Sequence, residues 1–133
     1  MKRSEWADIW YQRAIHDLEA ARILRKEGFY DTCALMCQQA AEKAVKALWI
    51  DVKQCDPPRV HYVERLAKEL DAPREVVQAG SRLAADYMVS RYPTPAMALP
   101  FTDYSAENAD DRLAKAETVL AWVESQWEDS DAD

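Results

Sequence analysis

The chain has 133 residues, 49% of them hydrophobic and 31% charged, which suits one domain able to bury a core without disulfide or metal staples. Only two glycines occur, Gly28 and Gly80, which disfavours turn-rich β architectures and leaves no glycine loop for phosphates or dinucleotides. The net charge of −7 argues against strong non-specific nucleic-acid binding, which rests on neutralising phosphates.

Ser4 is placed to cap a first helix running to about Glu27, with Gly28 as its stop. Trp6, Trp10, Ala14, Leu18, Ala21 and Leu24 recur at spacings of three and four and predict its buried stripe. Glu5, Asp8, Gln12, Glu19, Arg22 and Lys26 cover the other side. Because Met1-Lys2-Arg3-Ser4-Glu5 leads directly into this charged amphipathic stretch, no signal peptide is expected. No apolar run nears the ~20 residues that cross a bilayer, so a cytoplasmic location and no membrane contact are the expectation.

Asp31 is the expected cap of a second helix reaching about Lys53. Cys33, Cys37, Ala40, Ala44 and Ala47 share one side of it, and Met36, Val45, Leu48 and Trp49 widen the apolar surface. Small residues in a row let neighbouring helices approach closely, which marks this helix as central. Three cysteines make a disulfide framework unexpected, and Cys33 and Cys37 read as buried apolar residues rather than metal ligands. No metal or other cofactor is predicted.

Asp56-Pro57-Pro58 breaks the chain, and a short helix follows over about Tyr62–Leu70. Pro73 opens the first turn of a helix that extends to about Arg91. Tyr92 precedes Pro93, which excludes it from helical geometry, and Pro95 and Pro100 make residues 92–103 an extended loop. The last helix begins near Ser105, with Glu107, Asp110 and Asp111 complementing its dipole. Ala109, Leu113, Ala116, Leu120, Val123 and Trp127 step alternately by four and three, a seam for a near-antiparallel bundle. From residue 103 on, ten acids stand against Arg112 and Lys115, so this segment carries −8 and the rest of the chain +1. The expected architecture is all-α, an up-and-down helical bundle of four main helices plus one short helix. One domain should cover residues 1–128, and residues 129–133 should form an acidic disordered tail.

The stretch Gln38-Gln39-Ala40-Ala41-Glu42-Lys43-Ala44-Val45-Lys46-Ala47, entered through Gly28-Phe29-Tyr30, resembles the second-helix signature of HEPN domains, Q-x-A-x-E-K-x-x-K-A. Ala14, Asp17, Leu18 and Ala21 are similar to that family's first-helix entry. His61 with Leu66 resembles its H-x-L element at looser spacing, and Tyr87 with Arg91-Tyr92-Pro93 resembles its Y-x-x-x-R-Y-P segment. The resemblance spans nearly the whole chain. It implies a helical bundle that usually dimerises, associated with small nucleotidyltransferases, nucleotide or nucleic-acid metabolism and toxin–antitoxin pairs.

The nuclease branch of that family carries an arginine followed four to six residues later by a histidine. The histidine moves the proton of the RNA 2′-hydroxyl and the arginine holds the phosphate charge. Here no histidine follows His61, so Arg91 has no such partner, and neither His16 nor His61 has an arginine at the right distance before it. A non-catalytic protein is therefore expected, with a ribonuclease of displaced active site or a purely structural dimerisation module as alternatives. Gln39, Glu42, Lys43 and Lys46 form one candidate nucleotide-binding face. Glu42 and Lys46, at i and i+4, otherwise read as a surface ion pair. Tyr87, Arg91 and Tyr92 form the other candidate, two rings and a cation suited to a base and a phosphate; their structural alternative is a helix end packed under the proline loop. Asp86 is a minor addition, His61 reads as a capping or hydrogen-bonding residue by the short helix, and His16 as surface. Expected partners are a second copy, a nucleotide and a small nucleotidyltransferase.

Overall fold

In the computed structural model, which describes residues 1–131 and side chains through Trp127, the helices are α1 (Glu5–Lys26), α2 (Tyr30–Lys53), α3 (Val63–Glu69), α4 (Arg74–Arg91) and α5 (Ala106–Asp131). A 3₁₀ turn, Pro100–Thr102, interrupts the loop before α5. The up-and-down bundle of four long helices and one short one is thus present, with no strand among the described residues. Of the acidic tail expected over 129–133, the α5 backbone takes in the first three residues, while Ala132 and Asp133 lie outside the described residues.

Local signals place the helix ends. The Ser4 side chain accepts the Ala7 N–H at the start of α1, and Gly28, at φ 87°, ends it in the left-handed region. Ser105 and Asn108 exchange hydrogen bonds at the start of α5: each side chain accepts the other's backbone N–H, at 3.2 and 2.9 Å. Asp31 does not cap α2. The helix begins two residues earlier than that cap implies, behind Phe29, and Asp31 sits in its first turn, where its charge complements the helix dipole instead.

α2 is the axis of the bundle and touches every other helix. Cys33, Cys37, Ala40, Ala44 and Ala47 are fully buried, and so are Ala34, Ala41 and Val45 on its other sides. The buried stripe of α1 differs from the expected one. It is Ala7, Tyr11, Ala14, Leu18 and Ala21, while Trp6 is half exposed and Trp10 and Leu24 lie at the edge. Both stripes satisfy the same three-and-four spacing, but the Tyr11 hydroxyl reaches the Leu120 carbonyl and Glu124 of α5, which turns the Tyr11 side inward. Trp6 and Trp10 meet edge to face at 6.3 Å on the flank this leaves open.

Three carboxylates tie segments together inside the bundle. Asp51 accepts from the Ser4 backbone N–H at 3.0 Å and from the Trp127 indole at 2.9 Å, joining both ends of the chain to α2. Asp86 accepts from Arg112 Nε at 2.7 Å and from the Tyr104 hydroxyl at 2.6 Å, which fixes the end of the proline loop to α4 and α5. Burial, together with the bond to Asp86, pushes the Tyr104 phenol well above its usual range. Asp17 pairs with Lys43, between α1 and α2. Arg25 reaches across to Asp110 at 2.7 Å, and its guanidinium holds that carboxyl below the usual range.

Cys33 and Cys37 are buried one turn apart, and the neighbouring Cys33 thiol and burial hold the Cys37 thiol far above its usual range. Cys55 is exposed. A thiol-reactive chromophore should therefore modify one cysteine rapidly in the native protein and all three in denaturant. Rapid modification of more than one native thiol would contradict this packing.

Candidate functional site

Two prolines keep residues 54–62 from continuing α2, and the chain there forms an irregular strap that leads into α3. The strap is fastened to α2 through one carboxylate. Glu42 Oε1 lies 3.0 Å from His61 Nδ1 and accepts from Gln38 Nε2 at 2.9 Å, while Oε2 accepts from Lys46 Nζ at 3.1 Å. Gln38 Nε2 also meets the His61 carbonyl at 3.3 Å. Gln38, Glu42 and Lys46 are all buried, so the Glu42–Lys46 pair is not the surface ion pair that its spacing suggested. The strap and the Trp10 flank cover this side of α2, with Lys46 Nζ 5.9 Å from the Trp10 ring.

His61 thus hydrogen-bonds, but to α2 rather than to the start of α3, whose first turn has no side-chain cap. Its ring is half exposed and stacks on Tyr87 of α4, centroids 4.5 Å apart and planes 21° from parallel. Arg91, one turn beyond Tyr87, carries its guanidinium 5.4 Å from the same ring. The chain leaves the helix at Tyr92 in extended geometry, and the Tyr92 side chain stays exposed. Strap and α4 together enclose a cleft of about 380 Å³, walled by His61, Tyr62, Tyr87, Met88 and Tyr92, with Arg59 beside them.

The predicted site residues therefore divide. Tyr87 and Tyr92 line this cleft, Arg91 adjoins it, and Glu42 reaches it through His61. Lys46 lies on the other side of Glu42. Lys43 is paired with Asp17, and Gln39 donates to Gln38 at 2.6 Å, so neither points to the cleft residues. Asp86 is inside the bundle, committed to Arg112 and Tyr104. His16 is on the surface. Sequence reasoning missed Arg59 altogether and undervalued His61, whose signal was its resemblance, with Leu66, to the family's H-x-L element. Among the described residues no three His, Cys, Asp or Glu side chains gather in a metal-binding cluster, and no helix is long and apolar enough to cross a membrane.

Comparison with known proteins bears on the same elements. The HEPN domain family model matches residues 7–126. The crystal structure of an archaeal HEPN homologue superposes with a TM-score of 0.79 at 32% identity, covering 96% of this chain and 99% of that one. A Thermus thermophilus protein of known structure gives a TM-score of 0.77 at 29% identity, covering 94% and 98%. A Methanocaldococcus jannaschii protein, named as a candidate toxin, is 29% identical over 130 residues, 87% of this chain and 84% of its own.

Because Glu42 is buried with three donors on it, Glu42→Ala should destabilise the fold by about 3–5 kcal/mol, leaving Lys46 buried without a counter-charge. The double variant Glu42→Leu with Lys46→Met removes both charges and should recover most of that loss in urea denaturation. Equal losses in the two variants would show that the pair is not energetically coupled.

Proposed function

The chain belongs to the HEPN domain family, and from that premise we propose that it acts without catalysis of its own, binding a nucleotide in the cleft between the strap and α4. The observation that carries this reading is the wall of rings in that cleft. His61 lies flat on Tyr87, with Tyr62 and Tyr92 alongside and the Arg91 guanidinium over Tyr87. Flat faces suit a base, and a guanidinium suits a phosphate. The cleft volume falls within the ~300–1,000 Å³ typical of small-molecule sites. Glu42 serves the site by holding His61, and Lys46 by balancing Glu42. Lys43 and Gln39 keep α2 in place rather than meeting the ligand.

The proposed cellular setting is a pair of the toxin–antitoxin kind, in which a homodimer of this chain meets a small nucleotidyltransferase. The name of the Methanocaldococcus jannaschii relative supports the toxin–antitoxin part. The resemblance of the second helix and of Arg91-Tyr92-Pro93 to HEPN domains, which implies an association with small nucleotidyltransferases, supports the partner.

One observation favours a second reading, ribonuclease action from a displaced site. His61 and Arg91, far apart in sequence, both abut Tyr87. With Nδ1 held by Glu42, Nε2 is the position from which the imidazole would take a 2′-hydroxyl proton, and Arg91 would hold the phosphate.

Thermal unfolding with nucleoside mono-, di- and triphosphates tests the binding reading: at a concentration 100 times Kd, a ligand stabilises the fold by about 2.7 kcal/mol. The expected result is a raised Tm with at least one of them, and roughly tenfold weaker binding in Tyr92→Ala, whose exposed ring the fold does not need. A Tm unmoved at millimolar nucleotide would sink it. Labelled RNA should stay intact with the pure protein. Cleavage that disappears in His61→Ala would replace the first reading by the second.

A further inference from the structure

The strap has a second face. Where residues Arg59 to Tyr62 wall the cleft on α4, Pro57, Pro58 and Arg59 wall another on α1, opposite Trp6, Trp10 and Lys46. Arg59 is common to both. It is exposed, and among the described residues it makes no hydrogen bond or ion pair. Other cations near the strap are engaged: Lys46 with Glu42, Lys53 over Trp49, Arg65 over Tyr62 and Arg91 over Tyr87. The same Glu42 carboxylate stands behind both clefts, holding His61 toward one and Lys46 toward the other.

The α1 cleft has the composition of a stacking site. Trp6 and Trp10 are set nearly perpendicular, and Trp6 Nε1 donates to Asp56 Oδ1 at 3.3 Å, so its ring is held from the strap. That bond also turns the Asp56 carboxylate toward the indole. Its volume is about 230 Å³, below the range of a self-sufficient small-molecule site. It has room for a base and not for a whole nucleotide, so it makes sense as an annex to its larger neighbour.

We infer that the two clefts form one site for a dinucleotide unit: one base on the His61–Tyr87–Tyr92 wall, the second on Trp6 and Trp10, and the joining phosphodiester at Arg59. The inference rests on the nucleotide reading above and extends it from one base to two. A free dinucleotide and a short single strand present the same chemistry to these residues.

Titration calorimetry and tryptophan fluorescence with adenosine monophosphate, linear diadenylate and hexaadenylate test it. Diadenylate should bind at least about tenfold more tightly than the monophosphate and should quench tryptophan emission, as each stacked base adds that much. Trp6→Ala, at an exposed position, should abolish the difference while leaving monophosphate affinity unchanged. Arg59→Ala, also exposed, should weaken diadenylate more than monophosphate. Hexaadenylate matching or exceeding diadenylate would identify a strand as the source, and weaker binding a free dinucleotide; both support the paired clefts. Equal affinities for monophosphate and diadenylate, with Trp6→Ala silent, would overturn the second base position and leave the single-nucleotide reading standing. No binding of any of the three would overturn both.

Discussion

A carboxylate moved out of water into a helix bundle costs several kcal/mol unless donors surround it. Glu42 satisfies that condition with three: an amide from its own helix, an ammonium one turn on and an imidazole from the strap. The first two lie on α2 and form with the helix. The third requires the strap to cross α2 at one level, so the need to complete the shell of Glu42 fixes where an otherwise irregular segment runs. Once His61 is there, its ring meets Tyr87, and both walls of the α4 cleft are determined. The opposite face of the same strap then has to lie against Trp6 and Trp10. Both clefts are consequences of one buried charge.

The other buried carboxylates work the same way at other seams. Asp51 gathers Ser4 and Trp127, and Asp86 gathers Arg112 and Tyr104. In each case a buried acid, on α2 for Asp51 and on α4 for Asp86, draws in a segment that apolar packing alone would leave to slide. α2 can accept so many neighbours because its own side chains are small. Alanines and cysteines let α1, α4 and α5 close on it, and the close approach brings the occasional acid within hydrogen-bond range of its partners. The apolar stripe supplies most of the stabilisation; the acids select the register.

Much of this was legible in the sequence. Serine caps, Gly28 and the prolines marked the helix limits because each acts through local backbone chemistry. The centrality of α2 followed from its small residues. The α1 stripe was read correctly at Ala14, Leu18 and Ala21 but misplaced by one residue at its start, since Trp6-Trp10 and Ala7-Tyr11 obey the same period, and only the Tyr11 hydroxyl's partners on α5 distinguish them. Glu42 and Lys46 looked like a solvated pair because an i, i+4 spacing is identical on a surface and in a core. Arg59 carried no signal at all. Its place between the two clefts depends on α1 and α4 both standing beside the strap, a relation between distant segments that no local pattern encodes.

The family's nuclease chemistry places a histidine four to six residues after an arginine, so that the two are close in sequence. This chain has no histidine after Arg91, yet His61 arrives beside Tyr87 by another route, the strap, and Arg91 reaches the same ring from α4. The difference is physical as well as topological. A histidine that close in sequence to the arginine is positioned by the local chain, whereas His61 is positioned by Glu42 and lies flat against Tyr87. A ring in that pose has one face covered by Tyr87, so on the proposed reading a base would meet the other. Proton transfer instead needs the ring's edge, at Nε2, directed at a hydroxyl. On the proposed reading the rings around Tyr87 recognise a base, and cleavage would require that edge to face the strand's 2′-hydroxyl.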